Sequence, residues 1–146
     1  MYYYINGQFQ LAKDANIPFD DAGFLYGDGL FETMRFDSKI IFSPEKHLDR
    51  LSKGLNTINL KIMESPSKLL RLLNKVIHTN NLNSGIIRLM VTRGIINKES
   101  SNFNIPRIYI SIKPFYSIPT DPVKVIYLDE KQYPIIRFSP AIKSMN

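Results

Sequence analysis

Two Ser-Pro dipeptides, Ser43-Pro44 and Ser65-Pro66, limit the folds open to this chain more than any other feature of its sequence. In each of them a hydroxyl side chain precedes a proline suited to the first turn of a helix, so each predicts a helix start. Apolar residues then recur at helical spacing, as Leu48, Leu51, Leu55 and Ile58 in the first segment and Leu69, Leu72, Leu73, Val76 and Ile77 in the second. The sequence therefore predicts two amphipathic helices, side by side in the middle of the chain.

Segments with strand character lie on both sides of the helices. Before them, "YYYINGQFQ" turns at Asn6-Gly7, a dipeptide typical of a tight hairpin, and "LFETMRFDSKIIFS" turns at a polar run over residues 37–39. After them come "GIIRLMVTRG", "PRIYISIKPF" and "VKVIYLD", which are rich in β-branched residues, and finally "YPIIRFSPAIKSMN". Because strands and helices are grouped and do not alternate, we predict an α+β fold: a mostly antiparallel sheet with two helices on one face.

A chain of 146 residues, 44% of them hydrophobic, is long enough to bury a core. The proline-containing run "YSIPTDP" has the composition of a linker. We predict a small α+β domain over residues 1–118, and a linker with the first strands of a second domain over residues 119–146. The chain lacks cysteine, which excludes disulfides and thiolate metal sites and is in keeping with a cytoplasmic location. It also lacks a secretion-signal pattern and an apolar run of roughly 18 residues, so we expect no membrane partner.

The formal net charge of +6 raises the question of an anionic partner. The basic residues are scattered and form no long run, so a solvated surface is the simpler interpretation and we expect no nucleic-acid partner. A competing hypothesis is a domain that binds single-stranded nucleic acid through charge and through stacking on Tyr2, Tyr3 and Tyr4.

The segment "DDAGFLYGDGLFETMRF" carries Gly23, Gly27 and Gly29 close together, interleaved with aromatic residues. Glycines at this density permit positive φ angles and a close approach of backbones. Two interpretations stay open: a pocket walled by the aromatic residues, or a tight turn that leads into a strand. The segment is not a dinucleotide-binding fingerprint, because no strand precedes it and no helix follows it directly.

The segment "SPEKHLDRL" places His47 and Arg50 three residues apart on one side of the first helix. Arg50 stands at the edge of the apolar stripe, where its planar guanidinium fits either a phosphate or carboxylate ligand or an acidic side chain of the protein. Both interpretations stay open at this point. His47 has only His78 as a companion, so the sequence predicts no metal site.

Four segments, "DDAGFLYGDGLFETMRF", "FSPEKHLDRL", "RLMVTRG" and "AIKSMN", resemble in order and spacing the first half of the aminotransferase class IV family. These are the fold-type IV pyridoxal-phosphate enzymes, which include branched-chain aminotransferases, D-amino-acid aminotransferases and aminodeoxychorismate lyase. The likeness runs from Met1 to Asn146. It implies the small domain of that fold, followed by the first strands of the large cofactor-binding domain.

The resemblance also implies roles for individual residues. The lysine of the family's "IK" segment holds pyridoxal 5′-phosphate as a Schiff base, and Lys143 matches it. The arginine of the family's helix motif binds the cofactor phosphate, and Arg50 matches it. Phe31 matches the aromatic residue that lines the substrate side, and Lys98 stands near the position where relatives hold the substrate carboxylate. The resemblance implies no metal ligand.

We therefore predict a pyridoxal-phosphate-dependent transaminase of a small amino acid, with aminodeoxychorismate lyase, which forms p-aminobenzoate and pyruvate, as the alternative. Phe31 in place of tyrosine, with Lys98 and Ser100 in place of arginine and histidine, argues against a D-amino-acid transaminase. The Phe-Glu-Thr run favours the lyase, whereas the residues after "TRG" lack the lyase's glycine- and arginine-bearing run. Because the family forms dimers and its members are about twice this length, we expect a homodimer, and expect residues 1–146 alone to be inactive.

Overall fold

The structure is a computed structural model that describes residues 1–95, 105–116, 120–127, 129 and 143–145. Its elements follow in the order β1 (Tyr2–Ile5), β2 (Gln8–Leu11), α1 (Ala22–Tyr26), β3 (Gly29–Asp37), β4 (Ile40–Ile41), α2 (Pro44–Thr57), α3 (Pro66–Asn80), β5 (Gly85–Thr92) and β6 (Arg107–Pro114). The strands form one six-stranded antiparallel sheet in the order β2-β1-β6-β5-β3-β4. The predicted α+β architecture is confirmed.

One face of the sheet is buried and apolar because alternate residues of each strand point to the same side. In the three central strands this face consists of Leu30, Met34 and Phe36, then Ile87, Leu89 and Val91, then Ile108, Ile110 and Ile112. The apolar stripes of α2 and α3 pack against it through Leu48, Leu51, Leu55, Leu69, Leu73, Val76 and Ile77. Full burial of such a side chain contributes about 1.5–3 kcal/mol, so this layer is the main source of stability.

The two long helices begin at the prolines that the sequence singled out. Ser65 caps α3, since its side chain accepts a hydrogen bond from the Lys68 amide at 3.3 Å. Ser43 has a positive φ of 46° and caps no amide of α2 with its side chain. Its carbonyl oxygen instead accepts from the Lys46 amide at 3.2 Å. The predicted helix start is therefore confirmed, but the hydroxyl cap at residue 43 is wrong, because the chain leaves the β3–β4 hairpin there in a left-handed conformation.

Alternation along β1 corrects the hypothesis of a three-tyrosine stacking surface. Tyr4 faces the core, is only 9% exposed, and packs edge-on against Phe9 with ring centroids 5.7 Å apart. Tyr3 is partly buried, and Tyr2 is the one tyrosine of the three that is exposed. The three rings therefore do not share one open surface.

The part of the chain after β6 differs in one respect from expectation. Residues 123–127, inside the expected strand "VKVIYLD", are not in a strand, and their side chains are exposed, with Tyr127 fully so. Most of "YPIIRFSPAIKSMN" lies outside the described residues. The division of the chain between residues 118 and 119 stays a prediction.

Candidate active site

Residues 143–145 lie along the first residues of β3, on the edge that β5 does not occupy. The Phe31 amide donates to the Lys143 carbonyl at 3.1 Å, and the Met145 amide donates to the Gly29 carbonyl at 2.9 Å. Leu30 and Ser144 face each other across this antiparallel bridge. Residues separated by more than a hundred positions are thereby brought side by side, and the lysine lies directly opposite Phe31.

Phe31 and Lys143 meet on the face of the sheet opposite the helices. The ammonium nitrogen of Lys143 lies 5.0 Å from the centre of the Phe31 ring, and the guanidinium carbon of Arg88 lies 5.3 Å from it. Arg88 also donates from Nε to the Thr33 hydroxyl at 3.2 Å. Phe31 and Lys143 are each partly buried. The result is a primary amine and a guanidinium on one aromatic ring, an arrangement stabilised by cation–π attraction.

Arg50 lies on the helix-covered side of β3 and contacts Glu32, the neighbour of Phe31. Its Nε donates to Oε1 of Glu32 at 2.6 Å, and its Nη2 donates to Oε2 at 2.5 Å. His47 Nδ1 lies 2.7 Å from the same Oε2. The Glu32 side chain is 1% exposed, whereas that of Arg50 is 45% exposed. The buried carboxylate therefore holds one edge of the guanidinium, while Nη1 makes no hydrogen bond within the described part of the chain.

The pKa values of this pair move in the directions that the geometry requires. Burial by itself would raise the pKa of the Glu32 carboxyl, but hydrogen bonds and charge from Arg50 and His47 outweigh it and hold the pKa below its ordinary value. The hydrogen bonds that Arg50 donates to Glu32 raise the pKa of the Arg50 guanidinium. Both groups are consequently charged at neutral pH, so Arg50 keeps a fixed positive charge with a fixed orientation.

The glycine-rich segment forms a short helix that the sequence did not predict. Asp21 caps α1 by accepting from the Gly23 amide at 2.8 Å, and Gly27 ends it with a left-handed φ of 65°. Phe24 and Tyr26 are 61% and 64% exposed, so within the described residues they wall no pocket. The segment is a short helix that ends in a left-handed turn at Gly27 before β3, so it is closer to the interpretation of a turn leading into a strand than to that of a pocket.

A buried polar network fastens this segment to the ends of β5 and β6. Asp21, fully buried, accepts from the Thr92 hydroxyl at 2.9 Å and from the Tyr109 hydroxyl at 2.7 Å. Burial, with the hydrogen bond to Asp21, raises the pKa of the Tyr109 phenol far above its ordinary range. The Tyr109 hydroxyl therefore stays protonated at all ordinary pH values and remains a hydrogen-bond donor. Together with Thr92, it holds the start of α1 against the sheet.

Of the residues that the sequence singled out, the structure brings Lys143 and Phe31 together and places Arg50 on the other face of the same strand. No hydrogen bond between described residues joins Arg50 to Lys143. Lys98 lies outside the described residues, so its role stays a prediction.

Two residues of the site were missed by sequence reasoning. Glu32 occupies an inward position of β3 between Leu30 and Met34, and an acidic residue at a core position signals a buried cationic partner. Arg88 alternates with buried residues of β5, and no local pattern indicates that it shares a ring with Lys143. The described residues hold no cluster of three or more histidine or acidic side chains suited to a metal, and no helix among them is long and apolar enough to cross a membrane.

The chain belongs to the class IV aminotransferases, since that family's model matches residues 29–146. It is 31% identical over 149 aligned positions to a protein of Methanocaldococcus jannaschii whose name gives branched-chain-amino-acid aminotransferase as a provisional assignment; the match covers all of this chain and 52% of the relative. It is also 31% identical over 129 positions to a D-alanine aminotransferase of Listeria monocytogenes, covering 88% of this chain and 43% of that protein. The chain thus spans about half the length of these relatives.

Solved structures of the same family share the fold. The branched-chain amino acid aminotransferase of Escherichia coli superimposes with a TM-score of 0.70 at 25% identity, over 78% of this chain and 41% of that one. A second branched-chain amino acid aminotransferase, from the organism abbreviated T.th. and solved with pyridoxamine 5′-phosphate, superimposes with a TM-score of 0.70 at 19% identity, over 80% and 40% of the two chains. These likenesses confirm the predicted fold class and the resemblance to the family.

Proposed function

We propose that this chain is the first half of a pyridoxal-phosphate-dependent aminotransferase that acts on a small amino acid, with Lys143 as the residue that holds the cofactor by a Schiff base. Family membership supports the general activity. The observation that carries the proposal is the position of Lys143, whose amine lies over Phe31 on a segment paired with β3. An aldehyde cofactor forms a Schiff base only with a primary amine, and Lys143 presents one beside an aromatic ring.

Two groups of the chain, one on each side of β3, have the chemistry that the cofactor requires. Arg50 offers a permanent positive charge and an Nη1 group that makes no hydrogen bond to the described residues, which suits a phosphate dianion. Lys143 offers the amine, and Phe31 offers an apolar surface for the ring. When bound, pyridoxal phosphate supplies the electron sink for the reaction.

The protein's own residues would divide the remaining work. The Lys143 amine would take up the proton that leaves the substrate's α-carbon and pass it on rather than put it back, because a primary amine on a flexible stem is a suitable general base. Glu32 keeps Arg50 oriented. Arg88, whose guanidinium lies over the same ring as Lys143, is in a position to attract a substrate carboxylate. The sequence predicts the same role for Lys98.

Chemical trapping in the intact protein tests the proposal. The protein is incubated with pyridoxal phosphate, reduced with borohydride and digested, and the modified peptide is identified by mass spectrometry. We expect the label on Lys143 and its loss in Lys143→Ala, while Lys124→Ala, at an exposed lysine, keeps it. A label on another lysine, or none at all, contradicts the proposal.

Substrate assays separate the transaminase from aminodeoxychorismate lyase. The relatives' names indicate branched-chain amino acids and D-alanine as the substrates to try, each with 2-oxoglutarate. Amino transfer that requires the keto acid supports the transaminase. Pyruvate release from aminodeoxychorismate without an amino acceptor supports the lyase instead.

The assembly and location of the enzyme also belong to the proposal. We expect a cytoplasmic homodimer acting on small molecules, without nucleic acid as a partner. Analytical ultracentrifugation of the intact protein is the corresponding measurement, and a monomer at micromolar concentration contradicts the dimer. Residues 1–146 alone are expected to show no turnover, because they span about half of the relatives' length.

A further inference from the structure

Arg93, directly after β5, joins three segments that are distant in sequence. Its Nε and Nη2 donate to the two carboxylate oxygens of Asp28 at 2.6 and 3.2 Å, and its amide donates to the Asp28 carbonyl at 3.1 Å. The same guanidinium reaches the end of α2, where Nη2 donates to the Ile58 carbonyl at 3.0 Å and Nη1 to the Asn59 carbonyl at 3.5 Å. One planar group thus links the turn before β3 to the end of the helix that carries Arg50.

Gly29 connects this link to Lys143. It follows Asp28 directly, and its carbonyl accepts the hydrogen bond from the Met145 amide. A Cβ at residue 29 would lie 2.6 Å from the Val91 carbonyl oxygen and 2.8 Å from the Met145 sulfur, so the β5 backbone and the Met145 side chain leave no room for a side chain here. Asp28 is therefore one residue away from a backbone hydrogen bond that holds the segment of Lys143.

We propose that Arg93 is a positioning residue that sets the place of the Lys143 segment relative to α2, acting through Asp28 and Gly29. Only a guanidinium can bind both carboxylate oxygens of Asp28 and the two carbonyls directly after α2 at once, because its donors form a rigid fork. The Arg93 and Asp28 side chains are 27% and 34% exposed, so they are shielded from solvent more than an ordinary surface pair. The importance of Arg93 for cofactor binding rests on the proposed function. The coupling that Arg93 makes between α2 and the segment of Lys143 does not.

A local measurement distinguishes positioning from general stabilisation. Amide hydrogen exchange at Phe31 and Met145 reports the two hydrogen bonds that join residues 143–145 to β3. In the intact protein without added cofactor, we expect Arg93→Met to speed exchange at these amides by about tenfold or more. The stability control is Val76→Ala, on the buried face of α3, and the charge control is Arg71→Gln, at an exposed site on α3. Exchange no faster than in a Val76→Ala protein of equal melting temperature overturns the proposal.

Conservative variants extend the test should Arg93→Met fold poorly. Arg93→Lys keeps the charge but not the fork, and we expect an intermediate increase in exchange. Asp28→Asn should speed exchange at the same two amides. The double variant Asp28→Asn with Arg93→Met should exchange no faster than the faster of the two single variants, since both substitutions remove one contact. Fully additive effects of the two substitutions overturn the coupling.

The cofactor supplies a second and separate measurement. We expect the yellow chromophore to form with pyridoxal phosphate about fivefold or more slowly in Arg93→Lys than in the unmodified protein, because the amine is displaced from its place. Equal rates of chromophore formation in the two proteins would overturn the role of Arg93 in placing Lys143 for the cofactor. If the unmodified protein forms no chromophore, the proposed function fails, and hydrogen exchange still decides whether Arg93 positions the segment.

Discussion

The buried carboxylate of Glu32 accepts hydrogen bonds of 2.6 and 2.5 Å from one edge of the Arg50 guanidinium. This contact joins β3 to α2, since Glu32 lies in the strand and Arg50 in the helix. It also explains how a half-exposed arginine can present a fixed charge. The neighbouring residue, Phe31, points to the other face and meets Lys143, so two consecutive residues of β3 organise both cofactor-binding candidates.

Removal of the Glu32 charge should destabilise the protein. Glu32→Gln leaves the buried end of the Arg50 contact with a poorer partner, and we expect a loss of about 2 kcal/mol in the free energy of unfolding. The control is Asp49→Asn, which removes an exposed ion pair with Lys53 and should change stability by less than about 0.5 kcal/mol. Urea denaturation measures both, and equal effects of the two substitutions would contradict the assigned importance of Glu32.

The stabilisation by Glu32 should depend on pH with a defined sign. The folded state lowers the pKa of the carboxyl, so its contribution is complete above the unfolded-state pKa of about 4.3 and is lost as the pH falls through the folded-state pKa. The stability gap between the unmodified protein and Glu32→Gln should therefore be present above about pH 5 and narrow below about pH 4. Denaturation at a series of pH values measures the gap. A gap that widens on acidification contradicts the direction of the shift.

Arg50 should act on the cofactor's phosphate and not on its ring. We expect Arg50→Gln to weaken binding of pyridoxal 5′-phosphate by about tenfold or more, which corresponds to the loss of one charge-assisted contact. Binding of pyridoxal, which lacks the phosphate, should stay within about twofold. Titrations of the intact protein with both compounds provide the comparison. If both affinities drop together, Arg50 shapes the site in general and does not bind the phosphate.

Gly29 should resist a side chain because the β5 backbone and the Met145 side chain occupy the space where a Cβ would lie. Gly29→Ala places a methyl group against Val91 and Met145, and we expect it to lower stability by about 1–3 kcal/mol and to speed amide exchange at Met145. Gly7→Ala is the matched control: it has open space but a φ of 107°, so its strain stays at the β1–β2 turn. Loss of stability without faster exchange at Met145 would show that residues 143–145 do not depend on this approach.

Local patterns in the sequence determined the elements of the fold. The Ser-Pro starts and the leucine spacing located α2 and α3, and the two hairpins and the β-branched runs located the main strands. The pattern also placed His47 and Arg50 on one side of α2, where both contact Glu32. These predictions hold because helix and strand periods are set by the backbone over a few residues.

Tertiary structure alone decided which side chains meet. Glu32 and Arg50 are 18 residues apart and Asp28 and Arg93 are 65 apart. The same applies to the pairing of Lys143 with Phe31, for which the resemblance supplied the roles but not the contact. Strand register and helix packing bring such residues together, and a shift of one residue would turn each side chain to the opposite face. The sequence by itself therefore determined the layers and the chemical groups on offer, whereas non-local packing determined the site, because a contact depends on where two separate elements lie.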